Sequence, residues 1–256
     1  LGAENYEDIE KIGEGGMKHI YSCRDSVTGR VLARAYPKDL ENSHLVERFI
    51  RDARLMAELE HPNIIPVHRI GVEGDSKPYF TMKLIEGESL KEKSSELSLS
   101  EKLDVFLKVC HAVSYAHSHQ ILHLDIKPDN VSVSHFGEVL LMDWGLARRI
   151  GDTEDFDEEI DVVSNIEASL AGQVKGTPEY MSPEQASATE KLNEKSDIYS
   201  LGSLLYALLC DRSPYSDCSS EEILKKVQKN DWQSPSERFP ELNVSPVLEA
   251  ILKRRM

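Results

Sequence analysis

The sequence has 256 residues, of which 40% are hydrophobic and 29% charged, a size that suits one large domain or two small lobes. Thirty lysines and arginines against 45 aspartates and glutamates leave a net charge of −15, a poor surface for gathering a phosphate backbone by counterion release, so no nucleic acid partner is expected. The longest apolar runs, such as Leu201 to Cys210, hold about ten residues where a spanning helix needs roughly 20, so no membrane segment is expected in this chain.

Residues from Tyr6 to Phe80 read as short strands broken by turns, a strand-rich part with one helix. That helix is predicted from about Ser43 to Glu60, where Val46, Phe49, Ile50, Ala53 and Ala57 recur at helical spacing and Pro62 bars continuation. Beyond Gly87 the pattern turns mainly helical. Ser98 to His119 is predicted to present Leu103, Phe106, Leu107 and Cys110 as one stripe, and further helices are expected over Lys195 to Cys210, Glu221 to Lys229, and Ser245 to the end. Asp152 to Asp161 is acidic at seven of ten positions and reads first as a solvated loop. Attraction of basic substrates and mimicry of a phosphorylated loop are its other readings. Cys23, Cys110, Cys210 and Cys218 form no C-x-x-C pair, which indicates neither a zinc site nor a disulfide framework and makes a reducing cytoplasm the default location. No signal or transit peptide opens the chain, and its start at Leu1 reads as an excised segment, which leaves open a membrane anchor in the parent protein.

Gly13-Glu14-Gly15-Gly16-Met17-Lys18-His19-Ile20 follows the apolar Ile9 and Ile12 and leads into Tyr21, a strand-turn-strand setting. Glycines there let the backbone approach phosphates and offer N–H groups to them, although a plain hairpin turn satisfies the same pattern. His123-Leu124-Asp125-Ile126-Lys127-Pro128-Asp129-Asn130 is far more specific, followed as it is by Asp143-Trp144-Gly145 and by Gly176-Thr177-Pro178-Glu179-Tyr180-Met181-Ser182-Pro183-Glu184. In order and spacing these resemble the protein-kinase signatures H-R-D-x-K-x-x-N, D-F-G and A-P-E. Over essentially its whole length the chain is similar to the eukaryotic-like serine/threonine protein kinases. Pro78 to Leu84, with the Gly-Gly-Met loop, is similar to their bacterial branch.

The resemblance implies an α+β, two-lobed fold: a strand-rich N-lobe over residues 1–82, a hinge over 83–87 and a helical C-lobe over 88–256, its C-terminal end expected to be truncated. It implies ATP and Mg²⁺, and a protein substrate with a Ser or Thr acceptor. By the same resemblance Asp125 accepts or orients the hydroxyl proton, Asn130 and Asp143 hold the Mg²⁺ ions, Lys127 contacts the transferring phosphoryl group, and Thr177 positions substrate beside Asp125. Ile12, Gly13, Gly15, Gly16, Lys18, Ile20, Ala33, Met82, Lys83, Leu84, Ser132 and Asp143 surround the nucleotide. His123 is read as structural, Trp144 as apolar packing, and Asp197 as support for the backbone around Asp125. Isolated Asp and Asn residues often only cap helices or turns, which is the plain alternative here.

Several positions depart from the family pattern. The lysine of V-A-x-K falls on Ala35, and alternation along a strand puts Ala35 on the face of Ala33 and turns Arg34 away, unless the alignment slips by one residue. Lys18 stands at the third glycine of G-x-G-x-x-G, two residues before Ile20 and so on its face. That resembles the with-no-lysine kinases, in which the lysine has moved to this loop; a solvent-exposed lysine is the plain alternative. Asp52 stands for the usual helix Glu, Leu124 for the Arg that receives a phosphorylated loop, and Ser132 for an apolar residue beneath adenine. Thr153, Ser164, Ser169 and Thr177 are candidate phosphate acceptors. Glu184 is expected to lack the Arg partner found near the end of such domains. The alternative from a different functional class is a nucleotide- or partner-binding pseudokinase; a small-molecule kinase on the same fold is disfavoured by Gly176 to Glu184, which resembles the peptide-positioning loop of protein kinases.

Overall fold

In the computed structural model residues 6–14, 17–74, 76–151, 178–187 and 192–256 are described, 220 and 221 by their backbone alone. The chain divides into two units, Leu1–Gly87 and Glu88–Met256.

The first unit is an antiparallel sheet of β1 (Tyr6–Glu14), β2 (Lys18–Asp25), β3 (Val31–Pro37), β4 (Val67–Glu73) and β5 (Lys77–Lys83) in the order β1-β2-β3-β5-β4, with α1 (Ser43–Ala57) packed on β3, β4 and β5. Between β2 and β3 the Asp25 carboxylate accepts from the N–H groups of Val27 and Thr28 at 2.8 and 3.1 Å, and Gly29 takes a φ of +71° that a side chain would strain. Asn42 starts α1 by accepting from the Leu45 N–H at 3.2 Å. The helix stops at Ala57, short of the expected Glu60, because the chain turns there to bury Leu59, Ile64 and Ile65. Phe49, Asp52, Ala53, Leu55 and Met56 are its buried residues, whereas Ala57, predicted on the apolar stripe, is exposed.

β6 (Gly87–Ser89) starts at the last residue of the first unit and leads into α2 (Leu90–Lys93) and α3 (Leu99–Ser118) of the second, followed by β7 (Ile121–Leu122), β8 (Val131–Ser134), β9 (Val139–Leu141) and β10 (Arg148–Arg149). β6, β8 and β9 form one small sheet and β7 with β10 another. Then come α4 (Pro183–Ser187), α5 (Glu194–Cys210), α6 (Ser220–Gln228), α7 (Pro235–Arg238) and α8 (Pro246–Arg255). The fold is thus α+β, a strand-rich N-terminal sheet with one main helix followed by a helical part. Helix α5 is its central beam, with Leu204, Tyr206, Ser203, Ser196 and Asp197 all without exposed surface.

The buried stripe of α3 differs from the predicted one. Val105, Val109, Ala112, Val113 and Ala116 line it, small residues that let α5, β7 and β9 approach closely, and Leu107 is left 54% exposed. Leu103 and Phe106, the larger residues, pack instead at its margin against the cluster of Leu205, Tyr206, Cys210 and Leu252. Glu184 is half-buried and accepts from Ser196 Oγ at 2.7 Å, so it has a hydrogen-bond partner within the described residues. No described helix is long and apolar enough to cross a membrane.

Candidate active site

The segment after β7 is built around Asp125. Lys127 Nζ donates to both of its carboxylate oxygens, at 2.8 and 2.7 Å, and Asn130 Nδ2 donates to its main-chain carbonyl at 2.8 Å and to Oδ2 at 2.7 Å. Lys127 and Asn130 are nearly buried, while 22% of the Asp125 side chain stays open to solvent. Burial lifts the Asp125 carboxyl above the ordinary carboxylate range; the Lys127 ammonium pulls it back and the Asp143 charge adds to the rise. The site therefore holds a carboxylate that is fixed in direction and more basic than usual, which is what a proton acceptor needs.

The backbone beneath this carboxylate is held from behind. Asp197 in α5, with no exposed surface, accepts from the N–H of His123 at 2.9 Å and of Leu124 at 2.8 Å, and His117 Nε2 lies 2.8 Å from its Oδ2. These bonds settle Leu124 at a φ of +63°, a left-handed conformation that costs a non-glycine residue energy. His123 Nδ1 accepts the Asp125 N–H at 3.1 Å, so its proton sits on Nε2 and is donated to the Met142 carbonyl at 3.0 Å. Burial holds its pKa below the ordinary histidine value, against the pull of Asp197 and Asp125. With both ring nitrogens engaged, His123 is a structural residue. Trp144 is fully buried with its ring edge-on to His123, centroids 4.5 Å apart.

Sequence reading missed Gln185. Its Nε2 donates to the Leu124 carbonyl at 2.8 Å, and its Oε1 accepts from the Ser182 N–H at 3.1 Å while Ser182 Oγ accepts from the Gln185 N–H at 3.3 Å. The signal was Ser182-x-x-Gln185, a helix-start capping pair.

Asp143 follows β9 at a φ of +55° and is exposed, and the Met142 N–H bonds the Asn130 carbonyl at 2.8 Å, which ties the two segments together. Asn130 spends its NH₂ on Asp125 and so turns only an amide oxygen to other uses. An amide oxygen and a carboxylate are the hard oxygen donors Mg²⁺ prefers, and one or two such ligands with substrate phosphates is its usual protein site, so these residues fit the ion. Ser132, 3% exposed, lies on β8 opposite Leu140.

In the first unit the register decides which face each candidate occupies. Ala33 pairs with Met82 and Ala35 with Phe80, while on the other side Ile20 pairs with Ala35 and Lys18 with Pro37. Cross-strand partners share a face, so Lys18, Ile20, Ala33, Ala35, Phe80 and Met82 line the same face of the sheet. Phe80 meets Phe49 of α1 there, ring centroids 5.1 Å apart, and Asp52 lies three residues on along the buried side of that helix. Ile12 is 44% exposed on β1, Gly13 approaches Ile20, and Lys83 and Leu84 are half-buried at the end of β5 and beyond it.

Arg34 faces the other way. It is 1% exposed, its guanidinium 3.9 Å from the Tyr79 ring centroid, 4.9 Å from that of Tyr36 and 5.4 Å from that of Tyr6, with Asp8 and Glu73 carboxylates at 3.6 and 3.3 Å. The one-residue slip that returns Arg34 to the face of Ala33 is therefore not what the sheet adopts. Gly15, Gly16, Thr177, the acceptors Thr153, Ser164 and Ser169, and the acidic run lie outside the described residues.

A family model described as the protein kinase domain matches residues 6–254. The chain belongs to the protein kinase family. Among its curated relatives are chlamydial kinases each named serine/threonine-protein kinase PknD. That of Protochlamydia amoebophila is 34% identical over 279 residues, covering 99% of this chain and 28% of the relative. That of Chlamydia pneumoniae is 36% identical over 273 residues, covering 99% and 29%. That of Chlamydia trachomatis serovar D is 35% identical over 279 residues, covering 97% and 29%. The kinase domain described here thus spans less than a third of the length of these relatives.

Proposed function

We propose that this domain transfers the γ-phosphate of Mg-ATP to Ser or Thr hydroxyls of a protein substrate in the cytoplasm, with Lys18 in place of the third-strand lysine. Residues 1–82 serve as its N-lobe, 83–87 as the connection and 88–256 as its C-lobe. The observation that carries the reading is the Asp125–Lys127–Asn130 cluster, a basic, oriented carboxylate with an ammonium bound to it. Bound Mg²⁺ neutralises charge on the phosphates, and Asn130 and Asp143 are the residues that would hold it. Asp125 takes the hydroxyl proton from the acceptor. The Lys127 ammonium, already beside Asp125, offers charge to the phosphoryl oxygens as they approach the nucleophile. Lys18 supplies the charge that Ala35 lacks; its place on the face of Ile20, Ala33 and Ala35 supports this role. The names of the relatives and the lysine two residues after Asp125 support Ser and Thr as acceptors over Tyr. Thr177 is the residue we assign to acceptor positioning, and the acidic run favours a basic substrate.

A second reading, a nucleotide- or partner-binding pseudokinase, draws on Ala35, which has no exposed surface and no charge, and on the buried polar Ser132. Incubation with Mg-ATP and a basic protein separates the two. Phosphoserine or phosphothreonine that appears with the wild type and falls by about 10²–10⁴-fold in Asp125→Asn supports the kinase. Nucleotide binding without transfer to protein supports the pseudokinase.

A further inference from the structure

The hairpin that leads into Lys18 is tied to the end of β3 by two contacts that phosphate transfer does not itself use. On one stem Glu14 Oε1 lies 2.6 Å from Lys38 Nζ, while its Oε2 lies 2.5 Å from Lys11 Nζ and 3.7 Å from His19 Nδ1. On the other stem the Met17 carbonyl accepts the Lys38 N–H at 2.9 Å. One residue thus grips both stems, with its side chain on the first and its main chain on the second, and Lys18 is the next residue after Met17. Glu14 pairs with His19 across the hairpin, and alternation puts His19 on the face opposite Lys18, so the ion pair leaves the face of Ile20 and Ala35 clear.

Lys38 and Glu14 are 30% and 48% exposed, and ion pairs this open add little to folding stability. What such a pair does offer is direction. Both contacts converge on Lys38, so they hold Glu14 and Met17 against one residue immediately before the chain enters β2 at Lys18. Hydrogen bonds from Lys11 and Lys38 pull the Glu14 carboxyl down to about 2, so the ion pair persists well into the acid range.

We infer that Glu14 and Lys38 are positioning residues that act through Lys18, a latch that presets its ammonium for the phosphates of the nucleotide. The inference rests on the reading of Lys18 as the phosphate-gripping residue. Its test is the affinity of the intact chain for Mg-ATP and for adenosine, by titration calorimetry, in Glu14→Ala, Lys38→Ala, their double variant and Lys38→Arg, each with Lys18 present and with Lys18→Met. With Lys18 present, Lys38→Ala is expected to weaken Mg-ATP about fivefold or more, to leave adenosine unchanged, and to be rescued by Lys38→Arg. The double variant binds no more weakly than Glu14→Ala, and in Lys18→Met none of these changes has a further effect. Equal weakening in both backgrounds, or losses that multiply in the double variant, overturns the latch. So does unchanged affinity in Lys38→Ala when Lys18→Met itself binds weakly, a result that keeps the reading of Lys18. If Lys18→Met binds Mg-ATP like the wild type, that reading fails and the latch with it.

Discussion

Replacing Arg34 by methionine separates a structural cation from a phosphate-gripping one. The guanidinium is 1% exposed, with carboxylates of Asp8 and Glu73 at 3.6 and 3.3 Å whose side chains are 33% and 26% exposed. Removing one partner of a fully buried pair costs about 3–5 kcal/mol, but water still reaches both carboxylates here, so their share falls to about 1–2 kcal/mol. Loss of the cation over the Tyr79 face, 3.9 Å from its centroid, adds about 1–2 kcal/mol, while methionine keeps most of the apolar packing. The sum is about 2–4 kcal/mol, or a midpoint lower by roughly 5–15 °C in a calorimetric melt. Affinity for Mg-ATP in the folded variant stays within about threefold of the wild type, because nothing of Arg34 lies on the face of Ala35. An unchanged melt combined with lost Mg-ATP binding would refute this, and would return Arg34 to the role assigned to Lys18.

Other expectations follow from the site. Asp197→Ala orphans the buried N–H groups of His123 and Leu124, at about 1–3 kcal/mol each, so it is expected to unfold well below the wild type in urea; an unchanged midpoint contradicts the role of Asp197 as the backbone's anchor. His123 has a folded pKa below its unfolded value near 6.5, so the unfolded chain takes up the proton first and the contribution of neutral His123 is present above that pH and lost as pH falls below it. Stability measured from pH 7.5 down to 5.5 should therefore drop more steeply in the wild type than in His123→Gln, by up to about 1.4 kcal/mol per pH unit; parallel profiles refute it.

Local chemistry made the site legible before the fold was known. Asp125, Lys127 and Asn130 lie within six residues of one another, and simple strand alternation was enough to set Ala35 with Ala33 and Lys18 with Ile20. Ser-x-x-Glu at Ser89, Ser98, Ser219 and Ser234, a signal the sequence reading left unused, stands at four helix starts that the structure closes as capping boxes. Long-range partners were hidden. His117 bonds Asp197 across 80 residues and Gln185 bonds Leu124 across 61, and no local pattern says which loop a buried amide will reach. The cage around Arg34 draws on three other strands, so an unexpected arginine in β3 read only as an alignment problem. On α3 the largest apolar residues suggested the wrong stripe, because close approach to α5 favours Val and Ala over Leu and Phe.

The most direct test of the relocated lysine is to move it back. Phosphate transfer from Mg-ATP to a basic protein would be compared for the wild type, Lys18→Met, and Lys18→Met combined with Ala35→Lys. Ala35 lies on the face of Lys18 and opposite Ile20, so a lysine there projects from the same surface. The account predicts that Lys18→Met loses transfer by about a hundredfold or more and that Ala35→Lys restores a substantial part of it. Full activity in Lys18→Met would contradict it.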